Sequence, residues 1–327
     1  MSDFRPGPTR DTRSVVRSIR RASSRRAARV VVACIAAAVG ASGIAAAASL
    51  RRDTSATSAA LPAVVAAVEA ARRGAPIPGD LTPPIATIKL FPRQYRIPPP
   101  CIARDSTSTT QSRVCRVGTA SSKKLLVLFG DSHAFMWLPA VLALARRDGW
   151  AVVPLIRFGC TPGNWSHENA CGAWYRWGIR QIRRLRPAVT LLGGSIGERP
   201  SAETRAATAG MIAAAQRLRA LGPLVVIGDP EGLAGDPVPC LTAPRASMSA
   251  CTTTWPASAL AAYDAVARAT RRMGAGFLPT RGFVCHRRQC PAVVGHTIVW
   301  MDNSHLTGFY SARLAGPFRE AFLRVRP

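Results

Sequence analysis

From Lys124 to the C-terminus, short, wholly apolar runs alternate with longer amphipathic stretches, a rhythm that few folds satisfy. The apolar runs are Leu125 to Phe129, Ala151 to Ile156, Val189 to Leu192, Leu224 to Ile227 and the shorter Gly276 to Leu278. Between and after them, helical spacing covers Phe135 to Arg147, Ala173 to Leu185, Ala202 to Leu221, Ala257 to Met273 and Thr307 to Leu323. Strands that are apolar on both faces, each followed by a helix, predict an α/β three-layer sandwich around a five-stranded parallel sheet. In such a sheet, sites lie at the carboxyl ends of the strands. Upstream, a short helix is expected near Leu61 to Arg73, and the proline-rich stretch from Gly74 to Pro100 should be extended. No internal repeat is present.

The charge is unusual. Lys and Arg total 44 against 17 Asp and Glu, a net +27. Residues 1–29 hold nine Arg with only Asp3 and Asp11, so this basic arm carries +7 and leaves +20 elsewhere. Residues 30–50 follow with no charge at all, 21 residues that as a helix just span a hydrocarbon core of about 30 Å. An Arg cluster beside an uncharged run marks the cytoplasmic side of an anchor, which puts the rest of the chain outside the cytoplasm. The expectation is a single-pass membrane protein with an extracytoplasmic domain. The small-residue run Ala45 to Ser49 resembles a signal-peptidase site, and cleavage there makes the protein secreted.

Nine cysteines fit that compartment. Cys34 lies in the uncharged run, and the other eight fall as close neighbours: Cys101 with Cys115, Cys160 with Cys171, Cys240 with Cys251, and Cys285 with Cys290. Eight cysteines formally allow 105 pairings, and local disulfides are the expectation. Zinc is disfavoured because no C-x-x-C occurs and Cys285-His286 with Cys290 lacks a second matching pair.

Two short stretches carry chemistry. Gly130-Asp131-Ser132-His133 follows the first strand and opens a helix, which exposes the Ser132 hydroxyl at the strand's carboxyl end beside amides that can stabilise an anion. Met301-Asp302-Asn303-Ser304-His305 precedes the last helix. Asp302 and His305 are close enough for the carboxylate to fix the imidazole tautomer while the other ring nitrogen faces a serine. A serine needs such a base, because its free hydroxyl is a poor nucleophile at neutral pH.

Together G-D-S and D-x-x-H resemble the blocks of the SGNH hydrolase/acyltransferase superfamily. GDSHAFMWLPA, FGCTP, GDPEGLAGDPVPC, VCHRRQCPAVVGHTIVWMDNSHLT and the upstream LTPPI narrow the resemblance to the SGNH domain fused to acyltransferase-3 membrane proteins that O-acetylate envelope glycans. The resemblance runs from about Leu61 to the C-terminus and implies a flavodoxin-like SGNH fold. It also implies Ser132 as nucleophile, His305 as general acid and base, and Asp302 as its orienter. Residues 51–100 then form a helical and proline-rich lead-in, and residues 101–327 the catalytic domain.

The chain departs from the superfamily in lacking a G-x-N-D block after the third strand, where Gly193-Gly194-Ser195 stands. The oxyanion donors expected are the Ser132 amide with Gly159, Gly193 or Gly194. The sequence also offers one candidate span where the fused proteins have many membrane helices. The resemblance therefore implies an envelope glycan or acyl ester substrate, a multi-helix membrane acyltransferase as donor partner, and no cofactor.

The rival reading is a non-catalytic, membrane-anchored basic protein that binds anionic envelope polymers. Its Arg residues are dispersed along the helices and no nucleic-acid motif appears, so nucleic acid is not expected as a partner. Asp131 should cap its turn. His133 is placed either on substrate or on a neighbouring loop, and Asp229 either in the cleft or in a turn. Trp137, Trp174, Trp177 and Trp300 are candidates for sugar stacking, with core packing the simpler expectation. His167, His286 and His296 carry no assignment.

Overall fold

The computed structural model describes residues 59–89, 95, 97–166, 168–196, 201–230 and 232–327. The basic arm and the uncharged run of residues 1–50, like His167, lie outside them. Among the described residues no helix is long and apolar enough to cross a membrane.

Helix α1 (Pro62–Arg72) starts on a proline, whose missing N–H has no partner in a first turn anyway, and buries Val64, Ala67, Val68 and Ala71 along one stripe. The described part of the proline-rich stretch makes single extended bridges, Pro76 to Ser247 and Thr82 to Thr297, and single 3-10 turns at Ile85–Thr87 and Pro99–Cys101. Next come β1 (Val117–Gly118), β2 (Leu125–Gly130), α2 (Ser132–Phe135), α3 (Leu138–Asp148), β3 (Ala151–Ile156), α4 (Ala170–Leu185) and β4 (Val189–Gly193). After these follow α5 (Ser201–Arg219), β5 (Leu224–Ile227), α6 (Pro237–Thr242), β6 (Thr252–Thr254), α7 (Ala257–Arg272) and β7 (Gly276–Leu278). The last elements are α8 (Arg281–Val284), β8 (Gln289–Pro291), β9 (Val293–Val294), β10 (Thr297–Ile298), α9 (Gly308–Arg313) and α10 (Ala315–Val325).

The central sheet has the order β1-β3-β2-β4-β5-β7. Its five long-range pairing strands are parallel and are the five apolar runs expected from the sequence. The strand count is corrected to six, because β1 adds an antiparallel edge that registers Val117 on Val152. Two residues are too few to show any periodicity. The pairs β6–β8 and β9–β10 are likewise short antiparallel ladders outside the main sheet.

The chain moves from β2 outward to β3, then crosses back past β2 to β4 and continues to β5 and β7. Right-handed crossovers in opposite directions put their helices on opposite faces, so α3 covers one face and α4, α5 and α7 the other. Aromatic pairs mark both layers: Phe129 of β2 stacks on Trp174 of α4 at 5.3 Å, while Trp137 and Trp150, flanking α3, meet Phe318 and Phe322 of α10 at 5.6 and 6.2 Å. Leu126, Val127, Leu128 and Phe129 are fully buried, and each such side chain contributes about 1.5–3 kcal/mol of transfer free energy.

Two expected helices are each broken once, for one reason. Pro139 cannot donate to the Phe135 carbonyl, nor can Pro317 donate to that of Arg313, so the chain restarts as α3 and α10. Trp137, Trp174 and Trp300 are buried core residues and offer no face to a sugar, and Trp177 packs at the core's edge 6.2 Å from Trp174. The four local disulfides Cys101–Cys115, Cys160–Cys171, Cys240–Cys251 and Cys285–Cys290 are all formed.

Candidate active site

The direction of winding reverses between β2 and β4, so their carboxyl ends flank a crevice. Ser132 stands in it, as the first residue of α2. Gly130 makes the turn possible: its φ is +146°, and a side chain there would run into the Gly193 carbonyl at the end of β4. Gly193 in turn lies so close to α2 that a Cβ on it would sit 2.9 Å from the Ala134 Cα. Asp131 caps α2 as expected, its Oδ1 accepting from the His133 N–H at 2.8 Å.

Asp302 and His305 reach the same point from a tight loop. The Met301 N–H donates to the His305 carbonyl at 2.8 Å, and the loop's ends are zipped by the Trp300–Leu306 bridge and by Thr307 N–H to Val299 O at 2.8 Å. Tyr95 donates its buried hydroxyl to the Leu306 carbonyl at 2.9 Å, bracing the loop from behind. Across the crevice, the Leu233 N–H donates to the Asn303 carbonyl at 2.7 Å.

The result is a continuous chain of hydrogen bonds. His305 Nε2 lies 2.8 Å from Ser132 Oγ, and His305 Nδ1 lies 2.9 and 3.0 Å from the two oxygens of Asp302. With the proton on Nδ1 donated to Asp302, the Nε2 lone pair accepts from the Ser132 hydroxyl. Asp302 Oδ1 also accepts the N–H groups of Ser304 and His305, both at 2.8 Å. Partial burial pushes the Asp302 carboxyl up, but the His305 side-chain hydrogen bond, its charge and the two backbone donors outweigh that and hold it at about 2. Asp302 is therefore ionised at neutral pH.

The candidate oxyanion donors come from the strands either side of β2. Gly159 occupies an exposed bend after β3 with φ +66°, and Gly193 and Gly194 close β4, Gly194 packed against the Pro162 ring. The next two amides are directed elsewhere: Ser195 N–H donates to Asp131 Oδ2 at 3.1 Å and Ile196 N–H to Asp229 Oδ2 at 2.9 Å.

This clamp is the part of the site that the sequence left unassembled. Asp229, after β5, holds His133 Nδ1 at 2.8 Å with both side chains almost fully buried, and the His133 ring lies 4.7 Å from that of His305. Asp229 is thus more than a turn residue, and His133 supports the site from inside. Burial pushes the Asp131 carboxyl up, partly opposed by His133 and the two backbone donors. His296 pairs with Asp80 away from the serine. His286 takes part in the short β8 turn through its backbone.

Residues 100–320 match the family described as SGNH domain, fused to AT3 domains. Among solved structures, the periplasmic domain of a lipopolysaccharide acetyltransferase from Salmonella ser. Paratyphi A is similar at a TM-score of 0.56, with 14% identity over 74% of this chain and 98% of that one. A candidate SGNH hydrolase from Slackia heliotrinireducens shares 14% identity over 62% of this chain and 100% of its own, at a TM-score of 0.39. At these identities the likeness is one of fold. No curated protein matches.

Proposed function

The chain belongs to the family of SGNH domains fused to AT3 domains, a family of acyltransferases and ester hydrolases, and on that premise we propose that it is an exported serine enzyme acting on O-acyl groups of cell-envelope glycans. The observation that carries this reading is the unbroken Asp302–His305–Ser132 hydrogen-bond chain at the carboxyl end of β2.

Ser132 Oγ attacks the ester carbonyl carbon as His305 Nε2 takes its proton, and the carboxylate of Asp302, already ionised, balances the imidazolium that forms. The tetrahedral oxyanion is met by the Ser132 N–H and by a glycine amide from Gly159, Gly193 or Gly194; one such donor is worth about 2.7–4 kcal/mol of barrier. Collapse breaks the ester bond, and Nε2 returns its proton to the leaving alcohol. A second hydroxyl, from a glycan or from water, then gives its proton to Nε2 and takes the acyl group, and Nε2 passes that proton to the departing Ser132 Oγ, which restores the free enzyme.

Export is supported by the basic arm, the 21 uncharged residues after it and the four disulfides. A multi-helix membrane acyltransferase is the donor partner this reading calls for. The glycan acceptor is taken over from the likeness to a lipopolysaccharide acetyltransferase. The test is turnover of a chromogenic acetyl ester by the purified, disulfide-intact chain beside Ser132→Ala, with covalent labelling by a serine-directed phosphonate. Turnover and labelling that both vanish in Ser132→Ala are expected; turnover that persists in that variant refutes the assignment.

A further inference from the structure

The Arg residues that are scattered along the sequence are gathered by the fold. In a parallel α/β sheet every helix runs back towards the start of the next strand, so all the helix C-termini share one end, opposite the carboxyl ends of the strands. Here α3 ends in Arg146 and Arg147, α4 in Arg183 and Arg184, and α7 in Arg271 and Arg272, all six exposed. Backbone hydrogen bonds tie this end together: Trp150 N–H to Ala145 O at 2.8 Å, Ala151 N–H to Lys124 O at 2.8 Å, and Ala188 N–H to Leu125 O at 2.9 Å. The carboxylate beside Arg147, Asp148, is already paired with Arg319. Strands of up to six residues at about 3.3 Å each put roughly 20 Å of sheet between this end and Ser132.

One cation at a helix C-terminus answers the helix dipole. Adjacent cations at three helix ends, none of them in an ion pair among the described residues, exceed that need. The acids of the crevice, Asp131, Asp229 and Asp302, sit at the opposite end and so do not neutralise these arginines. The exposed large apolar side chains among the described residues are Val114 and Phe309, which follow the lead-in and open α9 at the crevice end. The basic end therefore offers charge without an apolar wedge, which suits a hydrated polyanion and not insertion into a bilayer.

We propose that this basic end is a docking surface for an extended acidic glycan polymer, held there while the crevice works at the other end. The choice of a glycan rests on the function proposed above; the polyanion surface rests on the charge geometry alone. Closely spaced positive charges attract the carboxylates or phosphates of a polyanion, and an extended chain engages several helix ends at once.

The test measures binding of the full-length chain to polygalacturonate, to neutral dextran and to anionic phosphatidylglycerol vesicles across a salt series. Polygalacturonate should bind with a salt-dependent Kd and dextran should not. The variant carrying Arg146→Gln, Arg147→Gln, Arg183→Gln and Arg184→Gln should bind at least about tenfold more weakly with a shallower salt slope. The matching set of Arg→Lys changes should retain binding, and small-ester turnover should stay within about twofold in both variants. Equal weakening by Arg104→Gln with Arg113→Gln, near the crevice, overturns the placement, and a fourfold Arg→Gln variant that loses vesicle binding while keeping polygalacturonate binding overturns the ligand class. Because binding is read directly, a chain that turns over no ester leaves this test intact.

Discussion

Replacing Asp302 by Asn separates the electrostatic role of this residue from its shape. Asn keeps Oδ1, which accepts the Ser304 and His305 N–H groups, but puts an NH2 where Oδ2 faced His305 Nδ1. That NH2 can only donate, and with Oδ1 already accepting two backbone N–H groups it favours the tautomer in which Nδ1 accepts and the imidazole proton sits on Nε2. Nε2 then donates to Ser132 Oγ and can no longer take its proton. In a serine triad this tautomer switch lowers kcat about 10⁴-fold. Stability changes too. A carboxyl held at about 2 against an ordinary 3.8 stabilises the fold by about 2 kcal/mol at neutral pH. For a domain of this size, losing it lowers Tm by roughly 4–8 °C. The sign follows from the depressed value: the contribution is complete above 3.8 and disappears as pH falls through about 2. Stopped-time ester assays and thermal unfolding from pH 7 down to about 2 measure both. The reasoning fails if kcat drops less than about tenfold, or if the stability gap between wild type and Asp302→Asn is as wide near pH 2 as at neutrality.

Gly130→Ala should unfold or displace the site, since a Cβ there meets the Gly193 carbonyl at a positive φ; a loss of at least about 2 kcal/mol by chemical denaturation is expected. Asp229→Ala strips partners from the buried His133 ring and Ile196 N–H and should cost about 2–4 kcal/mol, read as a lowered Tm. Opening the Cys160–Cys171 bridge, which closes a loop of sequence separation 11, should cost up to about 3 kcal/mol in the chain-entropy model, measured on a Cys→Ser pair. Mass mapping of unreduced peptides should recover all four local pairs.

Much of the site was legible because it is local. Asp302 and His305 are three residues apart, and G-D-S stands where an apolar run gives way to a helix, so their relation needs no knowledge of distant contacts. The cysteine pairs were legible for the same reason. Proline explains the two broken helices, whose signals at Pro139 and Pro317 were in plain view but were overridden by continuous helical spacing. The edge strand at Val117 was not legible, since two residues carry no period.

What the sequence by itself determined was the set of elements, the parallel direction of the five strands and the chemical character of Ser132, Asp302 and His305. Periodicity and neighbour contacts act over a few residues and leave their mark in composition and spacing. The tertiary structure decided everything set by strand order. It brought Ser132 to His305 across 173 positions, paired His133 with Asp229 across 96, and turned the Ser195 and Ile196 amides to two buried carboxylates. It also collected Arg residues that look dispersed along the chain at one end of the domain. Parallel crossovers place every strand's carboxyl end on one side and every helix's C-terminus on the other, so the same topology that assembles the crevice assembles the charge opposite it.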